Sequence, residues 1–162
     1  MAMLASARLT KRRANGQQDR LVEVQVKNGY TLYIGGIVAV DSSGYAVPAS
    51  GTLGERTVGV CEGSAVGQQA PGQSVAQPSA GATGSVVANV GVGEYALDID
   101  SNSPVTYADM FKGVYITDDH TISRVGSGAR PFAGKMTGLE QYSPTGTQVI
   151  VDLGVYVPTG TY

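Results

Sequence analysis

The chain has 162 residues, 23 of them glycine, with 15% charged residues and no tryptophan. That length fits one domain of ordinary size. The charge is well under the usual share of about 25%, and Val, Thr, Ser and Tyr outnumber the helix-favouring residues. Together these favour strands joined by glycine-containing turns. No run approaches 18 apolar residues, so no membrane-spanning helix is expected. The single cysteine, Cys61, excludes an intramolecular disulfide and sits in an apolar run that predicts a buried, inert thiol.

The first 25 residues form a basic arm. Residues 1–20 hold Arg8, Lys11, Arg12, Arg13 and Arg20 against Asp19, a net +4; the remaining six Lys/Arg against twelve Asp/Glu give −6, and the sum is the formal −2 of the whole chain. The basic residues are not followed by the apolar stretch of a signal peptide, so synthesis in a cytoplasm without export by that route is expected. Leu4 to Arg13 has the composition of a short helix ending near Asn15-Gly16, too short to hold alone in water. The arm is expected to be mobile until it meets a partner.

The body follows, residues 26–162. The alternation of Val22, Val24 and Val26 predicts a half-buried strand reaching back into the end of the arm. Asn28-Gly29 is a turn, and Tyr30 to Val40 is a strand region interrupted at Gly35-Gly36. Asp41-Ser42-Ser43-Gly44 makes a hairpin turn to Tyr45–Pro48. Thr57 to Cys61 is a short apolar strand. Residues 63–84 carry no charge and read as a long loop, with a short strand at Ser74–Gln77. Ser85 to Val92 and Glu94 to Ile99 are two strands, with Gly91 and Gly93 as bend or bulge positions. Thr106-Tyr107-Ala108-Asp109 fits a capping box, predicting one or two helical turns before Gly113. Strands follow at 114–117, 121–125, 131–137 and 147–157.

An internal echo links residues about 30–62 to 107–138. Gly36–Asp41 corresponds to Gly113–Asp118, Tyr45-Ala46-Val47 to Thr121-Ile122-Ser123, and Arg56–Gly59 to Arg130–Ala133. Each copy is a hairpin plus a third strand with one apolar face, and two such units can bury those faces together. The expected fold is mainly β: a compact β-sandwich or partly closed β-barrel with a short helical turn and an extended N-terminal arm.

The pattern supplies little for catalysis. Asp118-Asp119-His120 is the best metal-like group, but three consecutive residues at a hairpin tip predict a solvated turn. Asp98 and Asp100 share a strand face and read as a solvated strand end. His120 is the only histidine, no serine lies in a nucleophile elbow, and Gly91-Val92-Gly93 lacks the rest of a dinucleotide site. No enzyme activity, metal or cofactor is expected. The acidic body weighs against a nucleic-acid-binding face.

The run Pro104-Val105-Thr106-Tyr107-Ala108-Asp109-Met110-Phe111-Lys112-Gly113-Val114-Tyr115-Ile116-Thr117-Asp118-Asp119-His120-Thr121-Ile122 resembles a segment of bacteriophage capsid decoration (cement) proteins: a short turn into an apolar strand, then Asp-Asp-x-Thr. Pro131–Met136 and Gln148–Leu153 are similar to that family's closing strands, and Gly36 to Val60 has its strand, turn and Arg-x-Val-Gly-Val run. The resemblance covers roughly residues 30–155; the arm and the 63–84 loop lie outside the pattern. It implies a non-catalytic virion protein on the capsid exterior that stabilises the head by bridging major capsid protein subunits. Homo-oligomers are implied, a trimer before a dimer, with no membrane partner. The expected capsid contacts lie in the arm and first strand: Arg8, Lys11, Arg12, Arg13, Arg20, Leu21, Val22, Val24 and Val26. The competing reading is a virion-displayed module that binds a host surface or receptor.

Overall fold

The computed structural model describes residues 3–4, 10, 12–13, 20–64, 75–76, 83–126, 128, 130–142 and 146–153. The chain is mainly β. Its strands are β1 (Arg12–Arg13), β2 (Arg20–Gln25), β3 (Thr31–Leu32), β4 (Ile37–Val40), β5 (Ala46–Pro48), β6 (Arg56–Ser64), β7 (Val75–Ala76), β8 (Val87–Ile99), β9 (Gly113–Ile116), β10 (Thr121–Ser123), β11 (Phe132–Tyr142) and β12 (Gly146–Leu153). One 3-10 turn, η1, spans Tyr107–Asp109.

Two five-membered rings are built on the long strand β8. The second half of β8 pairs with β12, β12 with β11, β11 with β9, β9 with β10, and β10 returns to β8 in parallel, so the barrel closes. The first half of β8 pairs with β2 on one edge and β6 on the other; β6 pairs with β4 and β4 with β5. A parallel bridge between Val26 and Ala46 completes this ring. We call the rings barrel one (β2, β4, β5, β6, first half of β8) and barrel two (second half of β8, β9, β10, β11, β12).

The ladders match strand for strand. Bulges fall between Cys61 and Gly63 in β6 and between Met136 and Gly138 in β11. The bulges facing β4 and β9, at Thr57/Gly59 and Phe132/Gly134, match as well. Gly59 therefore corresponds to Gly134, Cys61 to Met136, Val90 to Val151, and Val24 to Leu97. The hairpins agree through Asp41 N–H to Tyr45 O at 3.0 Å and Thr117 N–H to Thr121 O at 2.9 Å. The expected echo is thus present as a repeated fold, with Ala46 matching Ile122 as expected. Along β4 and β6 the correspondence is offset by one residue from the one the sequence suggests, in opposite directions on the two strands, with Gly59 matching Gly134 rather than Ala133. Ile37, not Gly36, matches Gly113, because ladder hydrogen bonds set the register while the glycines suggested it.

The cores follow the same correspondence. Barrel one buries Val26, Val38, Ala46, Val58, Cys61, Ala88 and Val90, with Leu32 of β3 and Val75 of β7 closing the cluster. Barrel two buries Leu97, Val114, Ile122, Ala133, Met136, Val149 and Val151. The opposite face of barrel one, Ile37, Ala39, Val47, Ala49 and Val60, joins barrel two's cluster, and this welds the units together.

Several expectations change. The two strands expected at Ser85–Val92 and Glu94–Ile99 are one strand, because β8 must serve both barrels; Gly93 takes φ 143° within it without ending it. The helical turns expected up to Lys112 stop at Asp109, whose carboxylate accepts the Thr106 N–H at 3.0 Å. Arg12 and Arg13, expected in a helix, pair with β8 as a strand, since a tertiary edge outweighs weak local helix preference. Val75–Ala76 realises part of the short strand expected at 74–77. The rest of the 63–84 loop, apart from its ends, and residues 154–157 of the last expected strand lie outside the described residues.

Candidate functional site

The N-terminal arm is held to the body at four described places. Leu4 N–H donates to both carboxylate oxygens of Asp119, each at 3.0 Å. The Leu4 side chain lies over Gly36, where a Cβ would stand 3.2 Å from Leu4 Cδ1. Thr10 Oγ1 donates to the Gly35 carbonyl oxygen. Arg12 and Arg13 then add a two-residue strand against Tyr95 and Glu94.

The turn that receives Leu4 is Asp118-Asp119-His120. It is not the solvated tip that its sequence suggests: Asp118 and Asp119 are 3% and 2% exposed. The arm covers Asp119 from one side, and the Asp119 carbonyl accepts the Ile37 N–H of barrel one at 2.6 Å. The three side chains also converge, with potential ligand atoms within 4.8 Å of one another. His120 Nδ1 lies 2.9 Å from Asp119 Oδ1 and 3.1 Å from Asp118 Oδ1, and Asp118 Oδ1 accepts the His120 N–H at 3.1 Å. Asp118 Oδ2 is buried without a hydrogen-bond partner. With Asp119 already engaged by Leu4, the turn acts as the latch of the arm.

A second polar cluster braces barrel two. Asp100, expected at a solvated strand end, is 1% exposed. It accepts hydrogen bonds from Asn102 N–H at 2.9 Å, Arg130 Nη1 at 3.0 Å and Thr117 Oγ1 at 3.1 Å. Burial pushes its pKa up, but these donors, with the Arg130 charge, outweigh burial and hold it below the ordinary carboxylate range. Asp98 accepts a hydrogen bond from Gln148 Nε2 at 2.9 Å.

The other expected contact residues divide by environment. Arg8 and Lys11 lie outside the described residues. Arg20 and Leu21 are exposed, Leu21 by 52%. Val22 and Val24 are half-buried against barrel one's cluster, and Val26 is fully buried within it. Val26 is thus a core residue rather than a contact, because the strand's alternation turns it inward. What β2 leaves open is its backbone edge. Val26 N–H bonds toward β8 and Lys27 N–H toward Ala46, so Leu21, Glu23 and Gln25 direct their peptide groups away from β8. Gln25 faces β5 across the Val26–Ala46 bridge, while Leu21 and Glu23 have no strand partner among the described residues. The corresponding stretch of barrel two, Glu94–Tyr95, is where β1 pairs.

One exposed residue escaped sequence reasoning. Phe111 is 64% exposed and takes φ 62°, the left-handed region that bulky residues avoid at a cost on the order of 1–3 kcal/mol. Its N–H donates to Met136 O at 3.0 Å, just as Gly35, at φ 85°, donates to Cys61 O at 2.9 Å. The fold requires a left-handed residue here in each barrel. Aligning Gly35-Gly36 with Phe111-Lys112 would have flagged the phenylalanine.

No helix among the described residues is long and apolar enough to cross a membrane. No known protein family, curated protein or solved structure matches the chain.

Proposed function

We propose that this protein is a structural component of a phage virion that binds the outer surface of the capsid and stabilises the head by bridging major capsid protein subunits. The observation that carries the reading is the backbone edge of β2 at Leu21 and Glu23, which has no strand partner among the described residues. An edge of this kind recruits an extended segment from another chain by backbone pairing, and its twin in barrel two already holds such a segment in β1. The sequence resemblance and the low content of charged residues support the same reading. The basic arm is the second element of the grip. Its described hold on the body includes the Leu4 and Thr10 hydrogen bonds and two strand residues, and on this reading these are exchanged for contacts with a shell. Many weak contacts acting together on one shell give tight overall retention.

The test is co-sedimentation of the purified protein with emptied, expanded heads of the phage that encodes it. Saturable binding is expected, weaker when residues 1–20 are deleted. Glu23→Pro removes one outward N–H from an edge position, where proline is tolerated, and is expected to weaken binding while the body stays folded. Failure of the unaltered protein to bind would sink the reading and direct attention to a host-surface role, tested by binding to host cells.

A further inference from the structure

The outer faces of the two barrels are equivalent in construction and differ in burial. On barrel one, Ile37, Ala39, Val47, Ala49 and Val60 are at most 5% exposed, because barrel two lies over them. At the margin of that contact Ile37 N–H meets Asp119 O, and a Cβ on Gly36 would stand 3.6 Å from the same oxygen. On barrel two the matching positions are Gly113, Tyr115, Ser123, Val125 and Lys135. Gly113, Val125 and Lys135 are exposed and no described strand covers them, Tyr115 is half-buried with Gly126 close against its ring, and Ser123 is fully buried.

Phe111 stands at the margin of this open face, with Lys112 in the place of Gly36. A glycine would meet the backbone requirement at 111, as Gly35 does, without strain. Among the described residues, the exposed ring meets the Lys135 ammonium group 5.5 Å from its centroid. A strained, exposed aromatic is therefore best accounted for by a contact outside the chain.

We propose that the outer face of barrel two is a self-association surface, covered by barrel one of a second copy much as barrel two covers barrel one within the chain. The element of the second copy that matches the Asp119 turn is the β4–β5 turn, in which Ser43 holds the place of Asp119. Ser42, Ser43 and Gly44 are exposed and available for this contact. Lys112 and Gly113 of one copy then meet Ser43 of the next. The contact joins unlike surfaces, so it propagates head to tail and is finite only when the copies close into a ring.

The full-length protein is tested by light scattering after size exclusion over a range of concentrations, and by cysteine trapping with Lys112→Cys and Ser43→Cys together. The expected results are a defined oligomer, a linked species of at least twice the chain mass on a non-reducing gel, and no linkage through Cys61 alone. Phe111→Gly restores the residue type of barrel one, so it is expected to remain folded by circular dichroism. It should raise the concentration at half-dissociation at least tenfold, whereas Phe111→Tyr should preserve assembly. A monomer at every concentration would overturn the proposal. So would an oligomer that forms no 112–43 link and ignores Phe111→Gly. If Phe111→Gly weakened only head binding in a monomeric protein, the face would meet the shell instead, and the self-association proposal would be wrong while the capsid reading stood.

Discussion

Gly59 and Gly134 face the same obstacle in the two barrels: a Cβ on Gly59 would lie 2.1 Å from the Gly91 carbonyl oxygen, and a Cβ on Gly134 2.1 Å from that of Asp152. In each case the neighbouring valine, Val90 or Val151, stands 3.0 Å away through Cγ1. The repeat is thus matched down to the atoms that forbid a side chain. The obstacle is backbone in a paired strand, so it cannot swing aside. Gly59→Ala and Gly134→Ala are each expected to destabilise the fold by about 2–3 kcal/mol. Gly138→Ala, whose Cβ would meet Ile150 at an ordinary 3.5 Å, should cost less than about 1 kcal/mol. Urea denaturation of the three variants checks the order.

Asp100 and Arg130 give the fold an acid-sensitive brace. The folded pKa of Asp100 lies below its unfolded value, so its contribution is complete above the unfolded value, near pH 4. That contribution is lost as pH falls through the lower folded value. Stability followed by thermal melts from pH 6 downward should therefore fall less steeply for Asp100→Asn than for the unaltered protein. Arg130→Met leaves a buried carboxylate with fewer donors. Because Arg130 is about one third exposed, the expected loss is moderate, about 2 kcal/mol at neutral pH.

Cys61 is 1% exposed, and burial pushes its thiol up to about 11. A thiol so placed offers little thiolate and no access. Incubation with a thiol reagent at pH 8 should label the native protein negligibly and the urea-unfolded protein fully. Rapid labelling of the native state would show that β6 opens readily.

Asp119 anchors the arm through the Leu4 N–H. Asp119→Ala should leave the body folded and release the arm. Trypsin should then cut at Lys11, Arg12 and Arg13 several-fold faster than in the unaltered protein, with peptide mass spectrometry as the readout. Equal cleavage rates would place the arm's hold in β1 and Thr10 rather than in the latch.

Much of the architecture is written locally. The alternation of Val22, Val24 and Val26, the Asp41–Gly44 turn and the acidic turn at 118–120 predicted strands and hairpins where β2, β4–β5 and β9–β10 stand. Period-two patterning and turn chemistry act over a few residues and are visible without tertiary context. The mainly β class and the internal repetition follow from the same signals. The closure of the rings, the run of β8 through both barrels and the one-residue shift of the echo come from hydrogen bonds between distant strands, which no local pattern specifies. The same holds for the site residues. Asp100 and Asp119 look like solvated acids in sequence, and residues brought from elsewhere in the chain engage them: Arg130 at Asp100, Leu4 and Ile37 at Asp119. Composition and periodicity alone determined that this chain makes strands and turns twice over. Tertiary packing decided which face of each barrel is covered, because burial depends on what the rest of the chain lays against it.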